Sequence, residues 1–251
     1  MAAALEVRNL SKVFNDKRGR LQAVKGVSFQ VQQGQCFGIV GESGSGKSTV
    51  ARLIMQLLQA DEGEILLEGR TLKEYRVQKE WYRRIQMVFQ SPADSFNPRI
   101  TLGESVMSPM VHFGCGKKEA REKMDALFER VKLPASYAGR YPHEVSGGEC
   151  QRAAIARALS IGPKVLVCDE ATSALDVTVQ AEVVKLLRQL QDELKISILF
   201  ISHDLGLVQE LCSEMIVMCQ GKVEERGRVD EVIESPKSAY TQMLIDSVLG
   251  F

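Results

Sequence analysis

A glycine-rich stretch, GESGSGKSTV at residues 41–50, surrounds one lysine with small and hydroxyl residues directly after the apolar run CFGIV. It fits the pattern GxxxxGK[ST] through Gly41, Gly46, Lys47 and Ser48. Glycines allow several backbone N–H groups to turn toward one anion, and a helix that begins at the lysine adds its positive end. The stretch therefore predicts a phosphate cradle. Its other members are Ser43, Gly44 and Thr49.

Two adjacent acids end an apolar run in VLVCDE, residues 165–170. A phosphate cradle alone hydrolyses nothing, because hydrolysis also needs a metal ion and a group that positions water. We expect Lys47 to reach the β- and γ-phosphates of a nucleotide, and Ser48 and Asp169 to hold Mg²⁺. Glu170 then orients or deprotonates the attacking water. The two motifs together predict nucleotide hydrolysis.

A second group of small residues, VSGGE at 145–149, stands at the start of a helical run. Ser146, Gly147 and Gly148 would open that helix, which creates a second helix start suited to an anion. One nucleotide cannot easily use both helix starts within one small chain.

The segments around these motifs alternate between strands and helices. Strand-like runs are LEVRNL, VSFQV, QCFGIV, GEILLEG, IQMVFQ, VLVCD, ISILFIS and MIVMC, the last in a hairpin with GKVEERG. Helical spacing of apolar residues covers 47–58, with Leu57 on the inner face, and recurs at 147–160 and after Asp176. Such alternation predicts an α/β protein with a largely parallel sheet and helices on both faces.

The segment from Ser91 to Val145 differs from the rest, because strand signals vanish there and helical spacing takes over. In KKEAREKMDALFERV, for example, apolar residues recur at intervals of three and four. We therefore expect a single domain over 1–251. Its core would consist of 1–90 and 146–251, with a helical subdomain inserted at 91–145.

The composition argues against several classes of protein. The 32 basic and 32 acidic residues balance, so no strong field favours nucleic acid, and we expect no nucleic-acid partner. Six cysteines without a CxxC pair indicate a reduced, cytosolic protein. The N-terminal MAAALEVRNL lacks the apolar core of a signal peptide, and no apolar run is long enough for a membrane span.

The run VSGGECQRAAIARAL at 145–159 resembles the signature motif of the ABC transporter ATPases. Gln90 resembles the Q-loop glutamine of that family, SALD at 173–176 resembles its D-loop, and His203 in ISHD resembles its switch histidine. Phe14 in LSKVF resembles the aromatic residue that stacks on adenine. The motifs follow the family order over nearly the whole chain. The resemblance implies a P-loop NTPase with a RecA-like core, an N-terminal antiparallel β subdomain and an inserted α-helical subdomain.

The resemblance also implies a role for each motif residue, with ATP and Mg²⁺ as the bound species. The residues expected to act in hydrolysis are Lys47, Gln90, Glu170 and His203. Those expected at Mg²⁺ are Ser48, Gln90 and Asp169. Those expected on the nucleotide are Phe14, the cradle residues, Ser146, Gly147, Gly148 and Asp176. Simpler roles stay open for some of them: Phe14 as a packing residue, Gln90 as a capping residue, His203 as a polar strand end and Asp176 as a helix N-cap.

In this family two ATPase chains meet head to tail, and each ATP lies between the glycine loop of one chain and the signature of the other. The commonest signature is LSGGQ, whereas this chain begins it with Val145 and ends it with Glu149. The serine and both glycines are retained, so we expect an active site. The effect of the extra charge of Glu149 stays open.

Three stretches, QSPADSFNPRITLGES, RYPHE and ESPKSAYTQMLIDSV, resemble the ATPase subunits of dipeptide, oligopeptide and nickel importers. The resemblance implies a peripheral subunit at the cytoplasmic face of the cell membrane. Its expected partners are a second ABC ATPase, identical or different, two transmembrane permeases and an extracytoplasmic substrate-binding protein. The SFNPR run resembles the second of the paired ATPases. A cysteine-rich extension that holds an iron–sulfur cluster is expected in many peptide importers; its lack here favours nickel or metallophore-type cargo.

Three alternatives belong to other functional classes. A soluble ABC ATPase of DNA repair or translation would carry two cassettes or a long coiled-coil insertion, and neither pattern occurs here. A GTPase would carry an NKxD motif, which is missing from the sequence. A degenerate subunit that binds ATP without hydrolysing it is disfavoured by Glu170 and His203.

Overall fold

The computed structural model describes residues 3–16, 19–75, 77–173 and 175–249. The strands in these ranges are β1 (Ala3–Asp16), β2 (Gly19–Gln32), β3 (Cys36–Val40), β4 (Glu62–Leu67), β5 (Arg70–Thr71), β6 (Ile85–Val88), β7 (Val165–Asp169), β8 (Ser197–Ile201), β9 (Glu214–Cys219) and β10 (Lys222–Arg228). The helices are α1 (Lys47–Ile54), α2 (Gln78–Arg84), α3 (Leu102–His112), α4 (Lys117–Arg130), α5 (Gly147–Leu159), α6 (Val177–Leu194), α7 (Leu205–Leu211), α8 (Val229–Glu234) and α9 (Ala239–Leu249). Ala174 of the SALD run and Phe251 lie outside the described residues.

The central sheet contains the strands that carry the motifs, in the order β10-β9-β3-β8-β7-β6. The neighbours from β9 to β6 pair in parallel, and β10 adds an antiparallel hairpin edge. All residues of β3, β7 and β8 are buried, as continuous apolar runs require when both faces of a parallel strand are covered. The predicted α/β fold with a largely parallel sheet is therefore confirmed.

Different layers cover the two faces of this sheet. On β3, Cys36 and Val40 join one buried apolar cluster, which includes residues of α5, α6 and α7. Phe37 and Ile39 alternate with them and join the other cluster, which includes residues of α1, β1 and β2. The second cluster is covered by an antiparallel sheet in the order β2-β1-β4-β5. This sheet corresponds to the N-terminal antiparallel β subdomain that the family resemblance implied. Alternate residues of one strand thus anchor both layers.

Helix α1 is shorter than its apolar spacing predicts. It ends at Ile54, and Gln56 adopts a left-handed backbone conformation with φ of 55°. Leu57 follows this turn and is 54% exposed, so its predicted place on the inner face is wrong. The apolar spacing continues past the point where the backbone leaves the helix, which spacing alone does not reveal.

Between β6 and α5 the chain contains α3, α4 and three short 3-10 turns, and no residue from 89 to 146 is in a strand. Helix α3 begins with a capping box in which Thr101 and Glu104 bond each other's backbone N–H groups. On the other side, Arg157 of α5 donates to the carbonyl of Ser95 at 2.6 Å and to its hydroxyl at 2.8 Å. The helical segment is therefore tied to the helix that follows it.

Within the described part of the chain, no helix has the length and apolarity that a membrane crossing requires.

Candidate functional site

The motif residues meet at one edge of the central sheet, because parallel strands end on the same side. The glycine loop follows β3, and Asp169 ends β7, with Glu170 next. Gln90 lies two residues after β6, and His203 lies two residues after β8. These four strands are neighbours in the order β3-β8-β7-β6. The fold therefore gathers residues that are far apart in the sequence.

The glycine loop is packed so closely that two of its glycines cannot be replaced without displacing the backbone. Gly41 has φ of 148°, and a Cβ atom there would lie 2.2 Å from the carbonyl oxygen of Met218. Gly46 has φ of 104°, and its Cβ would lie 2.4 Å from the carbonyl oxygen of Ala23. Both contacts are with backbone atoms, which cannot move aside cheaply. The curled loop is thus packed closely against β2 and β9.

Lys47 begins α1 and is buried, with 3% of its surface exposed. Its ammonium group donates to the carbonyl oxygens of Gly41 at 2.7 Å and Glu42 at 2.8 Å, and lies 3.4 Å from the Ser45 hydroxyl. Burial lowers the pKa of Lys47, while the neighbouring acids Glu170 and Asp169 oppose that shift. An anion in the loop would supply a stronger partner for this cation than neutral carbonyl groups do.

Ser48 and Asp169 place two oxygen ligands side by side. The Ser48 hydroxyl donates to Oδ1 of Asp169 at 3.1 Å, and Asp169 is buried. Burial raises the pKa of Asp169, and the hydrogen bond from Ser48 opposes this shift. A hydroxyl and a carboxylate are ligands that Mg²⁺ accepts, so the pair fits the predicted ion. Among the described residues no group of three His, Cys, Asp or Glu side chains could hold a metal.

Glu170 lies between a glutamine and a histidine. Its Oε2 accepts a hydrogen bond from Nε2 of Gln90 at 2.8 Å, and its Oε1 lies 3.8 Å from Nδ1 of His203. The backbone at Glu170 is left-handed with φ of 47°, and its N–H donates to the carbonyl of Ile201 at 2.9 Å. A carboxylate oriented in this way, at the mouth of a phosphate loop, is suited to take a proton from water.

The signature residues occupy a different surface, at the start of α5. Ser146 is the N-cap of this helix, and both Ser146 and Gly147 are exposed. A Cβ atom on Gly148 would lie 2.6 Å from Cγ1 of Val179, and one on Gly147 would lie 3.3 Å from Cδ2 of Leu175. No hydrogen bond among the described residues joins Ser146, Gly147 or Gly148 to the glycine loop. The signature is therefore packed on the start of α6 and not on the phosphate cradle of its own chain.

Residues 24–173 match the family described as ABC transporter. The chain belongs to the ABC transporter family. The predicted resemblance and fold are confirmed.

Curated relatives share this assignment over nearly the whole chain. An oligopeptide transport ATP-binding protein, AppF of Bacillus subtilis, is 44% identical over 97% of this chain and 78% of its own length. OppF of Haemophilus influenzae, which has the same description, is 43% identical over 99% of this chain and 76% of its own length. The glutathione import ATP-binding protein GsiA of Pectobacterium atrosepticum is 41% identical over 97% of this chain and 41% of its length.

Solved structures of ABC proteins superpose well. CbiO1 of Clostridium perfringens, described as part of the ABC transporter complex cbiONQ, gives a TM-score of 0.83 at 29% identity. The match covers 94% of this chain and 92% of that one. The ATP-binding cassette MJ0796, described as a dimer in a post-hydrolysis state with ADP and Pi, gives a TM-score of 0.81 at 27% identity over 90% of this chain and 98% of that one.

Glu149, the departure from the commonest ABC signature, has its charge engaged within the chain. Its carboxylate accepts hydrogen bonds from the Tyr137 hydroxyl at 2.7 Å and from the Ser146 N–H at 2.8 Å. These bonds, that from Tyr137 first, lower the pKa of Glu149. The extra charge of this ABC signature thus faces two donors of its own chain and stabilises the N-terminus of α5.

Asp176 and Phe14 have structural contacts, and their predicted nucleotide roles stay predictions. Asp176 caps α6 by accepting the N–H of Val179 at 3.0 Å, so the N-cap interpretation is confirmed. Phe14 lies on β1 opposite Leu21 of β2 and is half-buried. The ammonium group of Lys12 lies 5.9 Å from the centre of the Phe14 ring.

The sequence reasoning missed polar residues that contact the ABC motifs. Ser173 lies 3.4 Å from Nε2 of Gln90 and donates to the carbonyl of Glu170 at 3.0 Å. Its position three residues after Glu170 was a usable signal. The hydroxyl of Tyr240 accepts the N–H of Glu42 at 3.3 Å across 198 residues of sequence. No local sequence pattern predicts a contact between residues so far apart in the chain.

Proposed function

We propose that this chain is the ATP-hydrolysing subunit of an ABC importer and acts on magnesium ATP. The observation that carries the proposal is the position of Glu170, flanked by Gln90 and His203. The Ser48–Asp169 pair adjoins the same strand end. This arrangement combines a base, its orienting neighbours and a metal-binding pair at one phosphate loop.

Each residue then has a separate task in hydrolysis. The loop N–H groups and Lys47 bind the β- and γ-phosphates of ATP. Ser48 and Asp169 hold Mg²⁺, which neutralises phosphate charge when bound, and Gln90 joins them through its amide. Glu170 accepts the proton of the attacking water, and His203 donates a hydrogen bond toward the terminal phosphate.

A second ATPase chain completes the site. Ser146 and Gly147 are exposed at a helix start, where N–H groups and the helix dipole favour an anion. In the proposal they cap the ATP held by the glycine loop of a partner chain, with Phe14 against the adenine and Asp176 at the seam. The partner is a second copy or a different ABC ATPase.

The helical subdomain, residues 91–145, transmits the nucleotide state to the membrane. In this proposal residues 1–90 and 146–251 form the core. Gln90 is the last residue before the subdomain, and it contacts Glu170. The subdomain contacts two transmembrane permeases from the cytoplasmic face of the cell membrane, and an extracytoplasmic binding protein delivers the cargo.

Two relatives whose names state oligopeptide transport favour a peptide as cargo. Nickel or a metal chelate is the second candidate, supported by the sequence stretches shared with nickel importers.

A charge placed at the signature tests the shared site. Ser146→Arg should leave ATP binding at Lys47 intact. It should abolish the ATPase activity of the complex assembled with the products of neighbouring genes, because the guanidinium would occupy the space next to the terminal phosphate of the ATP bound by the partner chain. Ser235→Arg, on an exposed residue after α8, is the matched control and should keep the activity. Full activity of the Ser146→Arg complex would contradict the shared site.

Uptake by cells tests the cargo. A deletion strain that carries Glu170→Gln should lose import of a labelled tripeptide, and the wild-type gene should restore it. Restoration of nickel uptake without peptide uptake would replace the peptide assignment by the nickel assignment.

A further inference from the structure

Helix α9 contacts the glycine loop, although the two are far apart in the sequence. The hydroxyl oxygen of Tyr240, in the first turn of α9, accepts the backbone N–H of Glu42 at 3.3 Å. The side chain of Glu42 itself is exposed, so the contact depends on the backbone of the loop and not on the side chain at that position. A loop that binds phosphate through its N–H groups is sensitive to which way each N–H points.

Both polar groups of the Glu42 backbone are engaged on the protein side. Its N–H is bonded to Tyr240, and its carbonyl oxygen accepts the Lys47 ammonium group at 2.8 Å and the Ser45 N–H at 3.2 Å. The orientation of Glu42 therefore determines where Lys47 rests and how the turn to Ser45 closes. Removal of the Tyr240 hydroxyl would leave the N–H of Glu42 without this partner.

The start of α9 is itself anchored, so Tyr240 is held in place. The carboxylate of Glu225 on β10 accepts the N–H of Lys237 at 2.9 Å and that of Ser238 at 3.0 Å. Glu225 is buried, with 8% of its surface exposed. One turn beyond Tyr240, Leu244 and Ile245 are buried in the apolar cluster below the sheet. The position of the Tyr240 hydroxyl is therefore fixed by hydrogen bonds just before α9 and by apolar packing within it.

The chemical state of Tyr240 suits an acceptor at this position. Burial raises the pKa of the Tyr240 hydroxyl, so this group is neutral at neutral pH. A neutral hydroxyl can accept from Glu42 with its oxygen and donate its own proton to a second group. The contact is therefore an ordinary neutral hydrogen bond at neutral pH.

We propose that Tyr240 is a positioning residue for ATP binding, acting through the backbone of Glu42. Its hydroxyl holds the Glu42 N–H away from the phosphate side and so fixes the curled form of the loop before ATP binds. A loop fixed in its binding form loses less conformational freedom on binding, which raises affinity. This inference rests on the proposed function of the loop in binding ATP, and it adds α9 as a support of that loop.

The test is Tyr240→Phe, which removes one oxygen atom and keeps the ring. Titration calorimetry of the full chain with a non-hydrolysable ATP analogue and Mg²⁺ should show a Kd raised about fivefold, equivalent to roughly 1 kcal/mol. In the assembled complex the KM for ATP should rise by a similar factor, while kcat at saturating ATP stays unchanged. A merely structural role would lower thermal stability without this split between KM and kcat.

Tyr75→Phe is the matched control. The Tyr75 hydroxyl is also bonded to the backbone, donating to the carbonyl of Leu67 at 2.8 Å, but its partner belongs to β4 of the antiparallel sheet and not to the glycine loop. Its removal should lower stability and leave the Kd for the analogue unchanged. An equal rise in Kd for both tyrosine variants would overturn the proposal, because loss of stability alone would then explain it.

A second variant tests the route through α9. Glu225→Gln keeps one acceptor oxygen and should raise the Kd by loosening the first turn of α9. Combined with Tyr240→Phe it should add nothing further, because both changes act on the same contact. Additive effects of the two substitutions would overturn the route through Tyr240.

Lys47→Ala separates failure of this inference from failure of the proposed function. An unchanged Kd in Tyr240→Phe beside a weakened Kd in Lys47→Ala rejects the role of Tyr240 alone. An unchanged Kd in Lys47→Ala rejects the assignment of the loop to ATP, and with it the inference.

Discussion

The strand-end residues and the signature residues are built in opposite ways. Gln90, Glu170 and His203 follow neighbouring strands, and Glu170 contacts the other two. Ser48 is bonded to Asp169, the residue that precedes Glu170. The signature begins a helix, is exposed at Ser146, and packs on α6 away from the glycine loop. The first region has its contacts within the chain, whereas the second leaves Ser146 and Gly147 exposed. In the proposed function, a single chain therefore carries both halves of a site that two chains share.

The largest expected effect is a loss of ATPase rate when the strand-end region alone is changed. Glu170→Gln keeps the size of the side chain and removes its ability to take a proton, so the ATPase rate of the complex should fall about a hundredfold to ten-thousandfold. ATP binding should persist, measured by calorimetry. Glu64→Gln, at an exposed ion pair with Arg8, is the control and should retain the rate. An unchanged rate in Glu170→Gln would remove the base from the mechanism.

The next effect concerns affinity. Lys47→Ala deletes a buried cation that is bonded to the loop carbonyls, so the Kd for ATP should rise by about ten- to a hundredfold. The control is Lys123→Ala, which removes an exposed lysine from an ion pair with Glu119 on α4. Calorimetry distinguishes the two, and equal affinities would show that the loop does not hold phosphate through Lys47.

A third change sharpens the comparison from the signature side. In Gly148→Ala the new methyl group lies 2.6 Å from Val179, whereas in Gly147→Ala it lies 3.3 Å from Leu175. We expect Gly148→Ala to lower the free energy of unfolding by about 1–3 kcal/mol and Gly147→Ala by less. Val179→Ala should rescue the first variant and not the second. Equal destabilisation would show that packing on α6 does not explain the glycine at 148.

The smallest effect is a dependence on pH. The pKa of Glu149 is lowered in the folded chain, so its hydrogen bonds stabilise the fold above its unfolded pKa and cease to do so as pH falls through the folded value. Chemical unfolding between about pH 6 and pH 3 should show wild type losing more stability than Glu149→Gln, which has no proton to gain. A parallel decline in both proteins would contradict an engaged charge at Glu149.

The meeting of the strand-end residues at one edge of the sheet could be predicted from the sequence, because each of them follows a short apolar run. CFGIV and VLVCD are buried on both faces, and their ends had to meet at one edge of a parallel sheet. The end of α1 was predicted wrongly, since apolar spacing continued to Leu57 after the backbone had turned at Gln56. The contact of Tyr240 with Glu42 was beyond prediction, because it joins residues 198 positions apart and depends on packing of α9.

The roles of Phe14 and Asp176 show a different limit. Both residue types have ordinary structural uses, one as a half-buried strand residue and one as an N-cap, and each fulfils that use in the fold. Their nucleotide roles depend on a ligand or a second chain. A single sequence specifies its own hydrogen bonds more directly than those that form with a partner.

The close packing of Gly148 on Val179 has a mechanical consequence. A Cβ atom on Gly148 would lie 2.6 Å from Val179, so the first turns of α5 and α6 are in close contact, and Asp176 caps α6 at the same end. From Asp176 the chain runs back through a short connection to Glu170. In the proposed two-chain site, contact of a partner chain at Ser146 would therefore be transmitted through the first turns of α5 and α6 to Glu170.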